Sequence, residues 1–350
     1  MLEKNPEISI LVVTHNQRAL LKRCLESVVA QEIHVPYEII VSDDGEEDGT
    51  EAMVRELGQA ECVTCKDCLQ GILYVRCDSS AYAHSPKGSR VGYNKLSAYL
   101  RAKGKYFVLV DADDFLVGTS LYQSEYEMLE KHPACSFVQT RTLKLDKGGS
   151  LDDVYVGFPH SDKFVTGRIF TLEEYLTYGL RGLAQSCMYR RRPQDDMRNA
   201  LGARFNDVFI TYYHLQFGPM IFLDITGYIW VQYPDSVSHR LDADEKKVYY
   251  GLIPLLLSMK FKRSRWSFLR QGAKRIYTTL ATAPKYPVLS DSSREKYGHF
   301  DAFIYRFYAE EHHSLFSYAR FWVAFTLLRL TKRLNLKSDT ALRVLYTALV

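Results

Sequence analysis

The 350-residue sequence predicts an α/β fold, a mostly parallel sheet flanked by helices with a mainly helical region at its C-terminal end. Three observations lead there. Short, wholly apolar runs alternate with segments of helical periodicity through the first 140 residues, the pattern of strands buried on both faces and joined by crossover helices. Several of these runs end abruptly in Thr, Asn, Asp and Gly. From about residue 241, helical segments interrupted by Pro254, Pro284 and Pro287 take over, and a boundary is expected there, giving 1–240 and 241–350.

The elements follow in order. "ISILVVT" (8–14) reads as a buried strand, and Leu21, Cys24, Leu25, Val28 and Val29 then recur at the spacing of one apolar helical face. "YEIIVSDDG" (37–45) gives a second strand, "TEAMVREL" a short helix and "GILYVRC" (71–77) a third strand. A helix through Leu96 and Leu100 is expected to stop at Gly104, which tolerates left-handed dihedrals, and "KYFVLVDADDF" (105–115) supplies the fourth strand. Beyond residue 134 the pattern loosens into "ACSFVQTRTLKL", a loop at Gly148 and Gly149, a helix from about Thr171 and a strand-like "AQSCMYR" (184–190). "FNDVFITYYHLQFG" (205–218) has helical spacing with Asn206 as N-cap, and "MIFLDITGYIWVQY" is a further strand.

Composition excludes disorder: 47% of residues are hydrophobic and 25% charged, enough to build a core. The net charge of +4 hides an asymmetry, since residues 241–350 carry 19 Lys plus Arg against 9 Asp plus Glu and the remainder is net acidic. An acidic front matches a cation, and a basic tail matches an anionic surface. No run approaches the ~18 apolar residues of a membrane span, and the opening residues lack a signal-like pattern, so a cytoplasmic protein is expected. Seven cysteines, an odd number, argue against a disulfide framework. Cys62, Cys65, Cys68 and Cys77 could instead close a tetrahedral Zn²⁺ site, although C-x2-C-x2-C-x8-C is not the usual two-knuckle spacing, and reduced, unligated thiols are the alternative.

In parallel sheets, ligands bind beyond the carboxyl ends of the strands. Three polar clusters fall there: Thr14, His15 and Asn16; Asp43, Asp44 and Gly45; and Asp111, Asp113 and Asp114. Each alone could be turn chemistry. Together they should meet in one crevice, and crowded carboxylates call for a cation.

"ISILVVTHNQRALLKRCLESVVAQ", "EIIVSDDGEEDGT" and "AKGKYFVLVDADDF", in this order, resemble the family 2 glycosyltransferases, inverting enzymes of the Rossmann-like GT-A fold. The resemblance spans about residues 6–240. It implies a nucleotide-sugar half (1–115) and an acceptor half (116–240). Thr14, His15, Asn16, Asp43, Asp44, Asn94, Asp111 and Ala112 would bind the nucleotide, with Asn94 displaced from the usual position. Asp111 and Asp113 match the Asp-x-Asp pair that holds Mn²⁺ or Mg²⁺ on the diphosphate, as hard, oxygen-seeking cations require. Asp207 matches the acidic residue that takes the acceptor's proton, with Asn206 where a second carboxylate often stands; the bland alternative is a helix-dipole partner. His239 in "YPDSVSHR" could reach metal or diphosphate, and Arg190, Arg191 and Arg192 could meet phosphate or form a solvated turn.

The resemblance further implies a UDP-sugar donor and a glycan or lipid-linked glycan acceptor. Lys262 replaces the Gln of the processive Gln-x-x-Arg-Trp element before Arg265 and Trp266, so one sugar is expected per encounter. In the tail, Phe316, Phe321, Trp322 and Phe325 interleave with Arg320, Arg329, Lys332 and Arg333, as in an interfacial helix on anionic lipid or an ordinary packed helix. Peripheral membrane contact through this region is the expectation, and a nucleic-acid partner is not expected. Two rivals are a nucleotidyltransferase, which would need a glycine-rich phosphate loop that "THNQRALLKR" lacks, and a non-catalytic, zinc-stapled module binding nucleic acid or lipid.

Overall fold

The computed structural model of the chain describes residues 5–59, 69–77, 87–146, 151–156, 163–178, 183–201 and 207–233, with Leu180, Phe205, Ser264, Ser267 and Phe268. The chain divides into two compact units, Met1–Ser236 and Val237–Val350.

Strand β1 (Ile8–Thr14) is buried at all seven positions, as an apolar run with no polar alternation requires of a central strand. It pairs in parallel with β2 (Tyr37–Asp43) on one side and β4 (Tyr106–Asp111) on the other, and β3 (Leu69–Arg76) extends the sheet beyond β2. Helix α1 (Arg18–Val29) covers this half with Leu21, Cys24, Leu25 and Val28, and α2 (Thr50–Gln59) and α3 (Lys87–Tyr99) complete the crossovers. The mixed α/β architecture with a central sheet is thus the one the sequence predicts.

Gly104 is a correction. Helix α3 ends at Tyr99, five residues earlier, and Gly104 is absent from the glycines of positive φ. The position is small because a Cβ there would lie 2.6 Å from Ser9 N, where Gly104 N donates to Ser9 Oγ at 2.8 Å. Close approach of β1 to the turn before β4, not a left-handed dihedral, demands glycine.

Past β4 the chain adds β5 (Phe115–Leu116), α4 (Leu121–Lys131), β6 (Phe137–Asp146), β7 (Leu151–Val156), β8 (Ile169–Phe170) and α5 (Leu172–Thr177). Helix α5 starts at a capping box, with Thr171 Oγ1 accepting from Glu174 N and Glu174 accepting from Thr171 N. A 3-10 turn (Ala184–Ser186), β9 (Cys187–Arg190), α6 (Gln194–Leu201), α7 (Asp207–His214) and β10 (Met220–Gln232) complete the unit. The main strand order is β3-β2-β1-β4-β9-β6-β10-β5, with β9 antiparallel to both β4 and β6. Arg190 and Arg191 are structural: Arg190 Nε donates to Cys135 O at 2.7 Å, and Arg191 Nη2 to Lys103 O at 3.2 Å.

Candidate active site

The parallel register places the site. Thr14 lies opposite Asp43, and Val13 opposite Asp111, so three strand ends deliver their polar residues to one edge of the sheet. The first turn is tight. Asn16 adopts φ 54° and its Oδ1 accepts from Glu46 N at 2.6 Å, while a Cβ on Gly45 would fall 2.6 Å from Asn16 N. Glycine at 45 lets the loops after β1 and β2 touch.

Asp43 is buried and its two oxygens are already engaged, accepting from Gly45 N at 2.8 Å and from the Tyr74 hydroxyl at 2.9 Å. An ionised carboxylate offers about four acceptor positions, so room remains for another donor. Asp44 Oδ1 lies 3.1 Å from His15 Nδ1 and 3.3 Å from Asn94 Nδ2, which also donates to Thr14 O at 3.0 Å. Burial pushes the Asp44 carboxyl up, and His15 opposes that shift. Asn94 therefore sits among Thr14, His15 and Asp44. Thr14 Oγ1 and Asn94 Oδ1 are buried without a hydrogen-bond partner among the described residues. Ala112 is buried, with its N–H committed to Val13 O at 3.0 Å.

The three carboxylates after β4 part company. Asp114 points into the protein, where Val231 N donates to Oδ1 at 2.8 Å and the Tyr228 hydroxyl donates to Oδ2. Asp113 receives no side-chain hydrogen bond among the described residues; burial and the charge of Asp111 push its carboxyl up to about 6. Such a carboxylate favours a cation beside it, and the position fits a divalent ion in this respect. Among the described residues no three His, Cys, Asp or Glu side chains group as metal ligands, so Asp111 and Asp113 would leave most positions to substrate and water.

Asp111 is held by two residues that the motifs did not single out. Lys95 Nζ lies 3.0 Å from its Oδ1, and the Gln185 amide donates to its Oδ2. The same Lys95 Nζ lies 3.2 Å from Asp207 Oδ1, so the first residue of α7 is drawn to the end of β4. Lys95 is 3% exposed. Burial disfavours its charge, yet Asp111 and Asp207 outweigh burial and hold its pKa above the ordinary lysine value. A signal existed: Gly92, Ala98 and Tyr99, spaced three and four residues from Lys95, form a buried stripe in which a solvated lysine has no place. Cys77 is buried beside Asp43, its N–H donating to Asp43 O at 2.8 Å. Cys62, Cys65, Cys68, Asn206, His239, Lys262, Arg265, Trp266 and the aromatic and basic tail lie outside the described residues.

The family model described as Glycosyl transferase family 2 matches residues 9–192, more than half of the chain and all three strand-end clusters. The chain belongs to glycosyl transferase family 2. A relative of this glycosyltransferase, the GalNAc(5)-diNAcBac-PP-undecaprenol beta-1,3-glucosyltransferase of Campylobacter jejuni, is 29% identical over 116 residues. That match covers 33% of the chain and 32% of the relative, so it spans about a third of the relative's length. Among solved structures, S. aureus TarS 1–349 in complex with UDP aligns at TM-score 0.58 and 14% identity, covering 97% of this chain and 90% of that one. The TarS complex with UDP-GlcNAc aligns at TM-score 0.59 and 14% identity, covering 97% and 91%. At that identity the likeness speaks for the fold, which is of the GT-A type.

Proposed function

We propose that this family 2 glycosyltransferase is inverting, metal-dependent and non-processive, moving one sugar from a UDP-sugar to a hydroxyl of a glycan or lipid-linked glycan in surface polysaccharide biosynthesis. The observation that carries the reading is the meeting of Asp111 and Asp207, from a donor-side strand and an acceptor-side helix, on one buried lysine. Thr14, His15, Asn16, Asp43, Asp44, Asn94, Asp111 and Ala112 line the nucleotide side. Asp207 takes the proton of the attacking hydroxyl, which strengthens that oxygen as a nucleophile. Asp111 and Asp113 would hold Mn²⁺ or Mg²⁺, which when bound supplies positive charge against the departing diphosphate.

UDP is the nucleotide to test first because the TarS complexes contain UDP and UDP-GlcNAc. The name of the C. jejuni relative supports a lipid-linked acceptor. Peripheral attachment to the cytoplasmic membrane face accords with that acceptor and with the basic C-terminal region. No helix among the described residues is long and apolar enough to cross a membrane.

Calorimetric titration of UDP and GDP, with and without Mn²⁺, on wild type and Asp113→Ala tests the reading. UDP binding that strengthens with Mn²⁺, and loses that gain in Asp113→Ala, is expected. Binding of neither nucleotide under any condition would overturn it.

A further inference from the structure

We propose that Lys95 is a positioning residue for sugar transfer, setting the proton-accepting carboxylate of Asp207 against the donor-side carboxylate of Asp111. The inference rests on the reading of Asp207 as the base. A lysine only 3% exposed must find its partners inside the protein. Those partners here are Asp111 Oδ1 at 3.0 Å, Asp111 Oδ2 at 3.2 Å and Asp207 Oδ1 at 3.2 Å. Both carboxylates remain 26% exposed, so solvent and substrate can reach them while the ammonium group stays behind them.

This arrangement divides the labour between oxygens. Asp207 Oδ1 is committed to Lys95, and Oδ2 has no hydrogen bond among the described residues, which leaves Oδ2 to receive the acceptor's proton. The carboxylate is thereby oriented as well as placed. Asp111 is fixed from the other side by the Gln185 amide of the 3-10 turn, so Lys95 references the acceptor side to a carboxylate that cannot swing. Lys95 of α3 thus ties β4 to α7 through one ammonium group, and the 3-10 turn joins the cluster through Gln185 on Asp111. A lysine retained only for stability is a weak explanation, because a buried ion pair seldom outperforms apolar packing of the same volume. Rotational slack at the base, by contrast, is costly, since small misplacements of a reacting group lower the rate about 100-fold.

The test compares wild type, Lys95→Met, Lys95→Arg, Asp207→Asn and the Lys95→Met/Asp207→Asn double variant. UDP release from UDP-N-acetylglucosamine, with water as acceptor, is measured beside UDP binding in Mn²⁺ and melting temperature. Lys95→Met and Asp207→Asn should each lower kcat about 100-fold or more, with UDP affinity and donor KM within about threefold. The double variant should lose no more than about threefold beyond the worse single variant, because both act through one carboxylate. Lys95→Arg, which keeps the charge and can span both carboxylates, should recover part of the rate.

Additive losses, a Lys95→Met enzyme near wild-type kcat, or a loss confined to UDP affinity would each overturn the proposal. An active Asp207→Asn enzyme would instead remove the base assignment, and with it the role given to Lys95. Melting temperatures decide the pairing even if UDP-N-acetylglucosamine is not turned over. Removing Asp207 in the Lys95→Met background should raise the melting temperature, whereas strictly additive shifts would show that the two residues are not coupled.

Discussion

Asp113 and Asp114 are adjacent, yet one is satisfied by the protein and the other is not. Asp114 accepts from Tyr228 and Val231 N. Replacing it with Ala strands two buried donors and should cost about 3 kcal/mol, read from urea denaturation, without touching the metal-dependent part of UDP binding. Burial and the neighbouring carboxylates push Asp114 up as well, but Asp113 has no such donors among the described residues. Its carboxyl is raised from 3.8 to about 6 by burial and by Asp111, so between those values the folded protein holds more protons than the unfolded chain. Its ionised form therefore opposes folding at neutral pH, and the penalty fades as pH falls toward 4. Asp113→Asn should gain about 1 kcal/mol at pH 7, less at pH 5, and lose the Mn²⁺-dependent gain in UDP affinity. Denaturation at the two pH values and calorimetry check this. The Asp111 to Asp114 cluster was legible in sequence because its members are contiguous and end an apolar strand. Lys95 carried only the signal of its place on a buried helical stripe; its pairing with Asp207 was not legible, because the two are 112 residues apart and only the tertiary fold brings them together.

The same contrast holds among elements. Strands β1, β2 and β4 were readable since a run buried on both faces must be apolar throughout. Helix α4 was hidden by Glu125, which occupies the buried stripe with Leu121, Tyr122 and Leu129 and breaks the apolar spacing. The strand-like 184–190 contains β9, but its antiparallel insertion between β4 and β6 has no sequence signature, because its partners lie about 50 to 80 residues away along the chain. Helix α7 carries a pH-sensitive element of stability. His214 is fully buried, with Nδ1 2.9 Å from Ile210 O and Nε2 3.2 Å from Arg190 O, and burial outweighs both carbonyls to push its pKa down to about 4. The folded protein keeps it neutral while the unfolded chain protonates near 6.5, so its stabilising effect is complete above 6.5 and lost as pH falls toward 4. Between pH 6.5 and 5 that loss is about 2 kcal/mol. Subtracting the denaturation curves of His214→Gln from those of wild type at the two pH values should isolate this leg; parallel curves would contradict it. Gly104→Ala should cost about 1–3 kcal/mol by overpacking against Ser9, seen as a lower urea midpoint.

At the scale of the whole molecule, the chain separates its charges. Carboxylates collect at the carboxyl edge of the sheet in the first unit, and residues 241–350 hold 19 Lys plus Arg against 9 Asp plus Glu. A net charge of +4 conceals that division, and sequence reveals it only when the chain is cut at the boundary. The division has a physical use if the acceptor is lipid-linked. Each basic residue near an anionic surface contributes about 1 kcal/mol of attraction, which decays within a Debye length of about 8 Å at physiological salt. Attraction of that kind would hold the protein at the surface where such an acceptor resides. Full-length protein should therefore sediment with vesicles containing about a third phosphatidylglycerol and not with pure phosphatidylcholine, and the bound fraction should fall steeply as salt approaches about 1 M, where screening shortens to about 3 Å. Equal binding to neutral vesicles would assign the contact to apolar insertion, and no binding to either would leave the basic region without a lipid role. Adding UDP and Mn²⁺ should not weaken vesicle binding, because the carboxylates that would hold the metal lie in the first unit and the basic excess in the second.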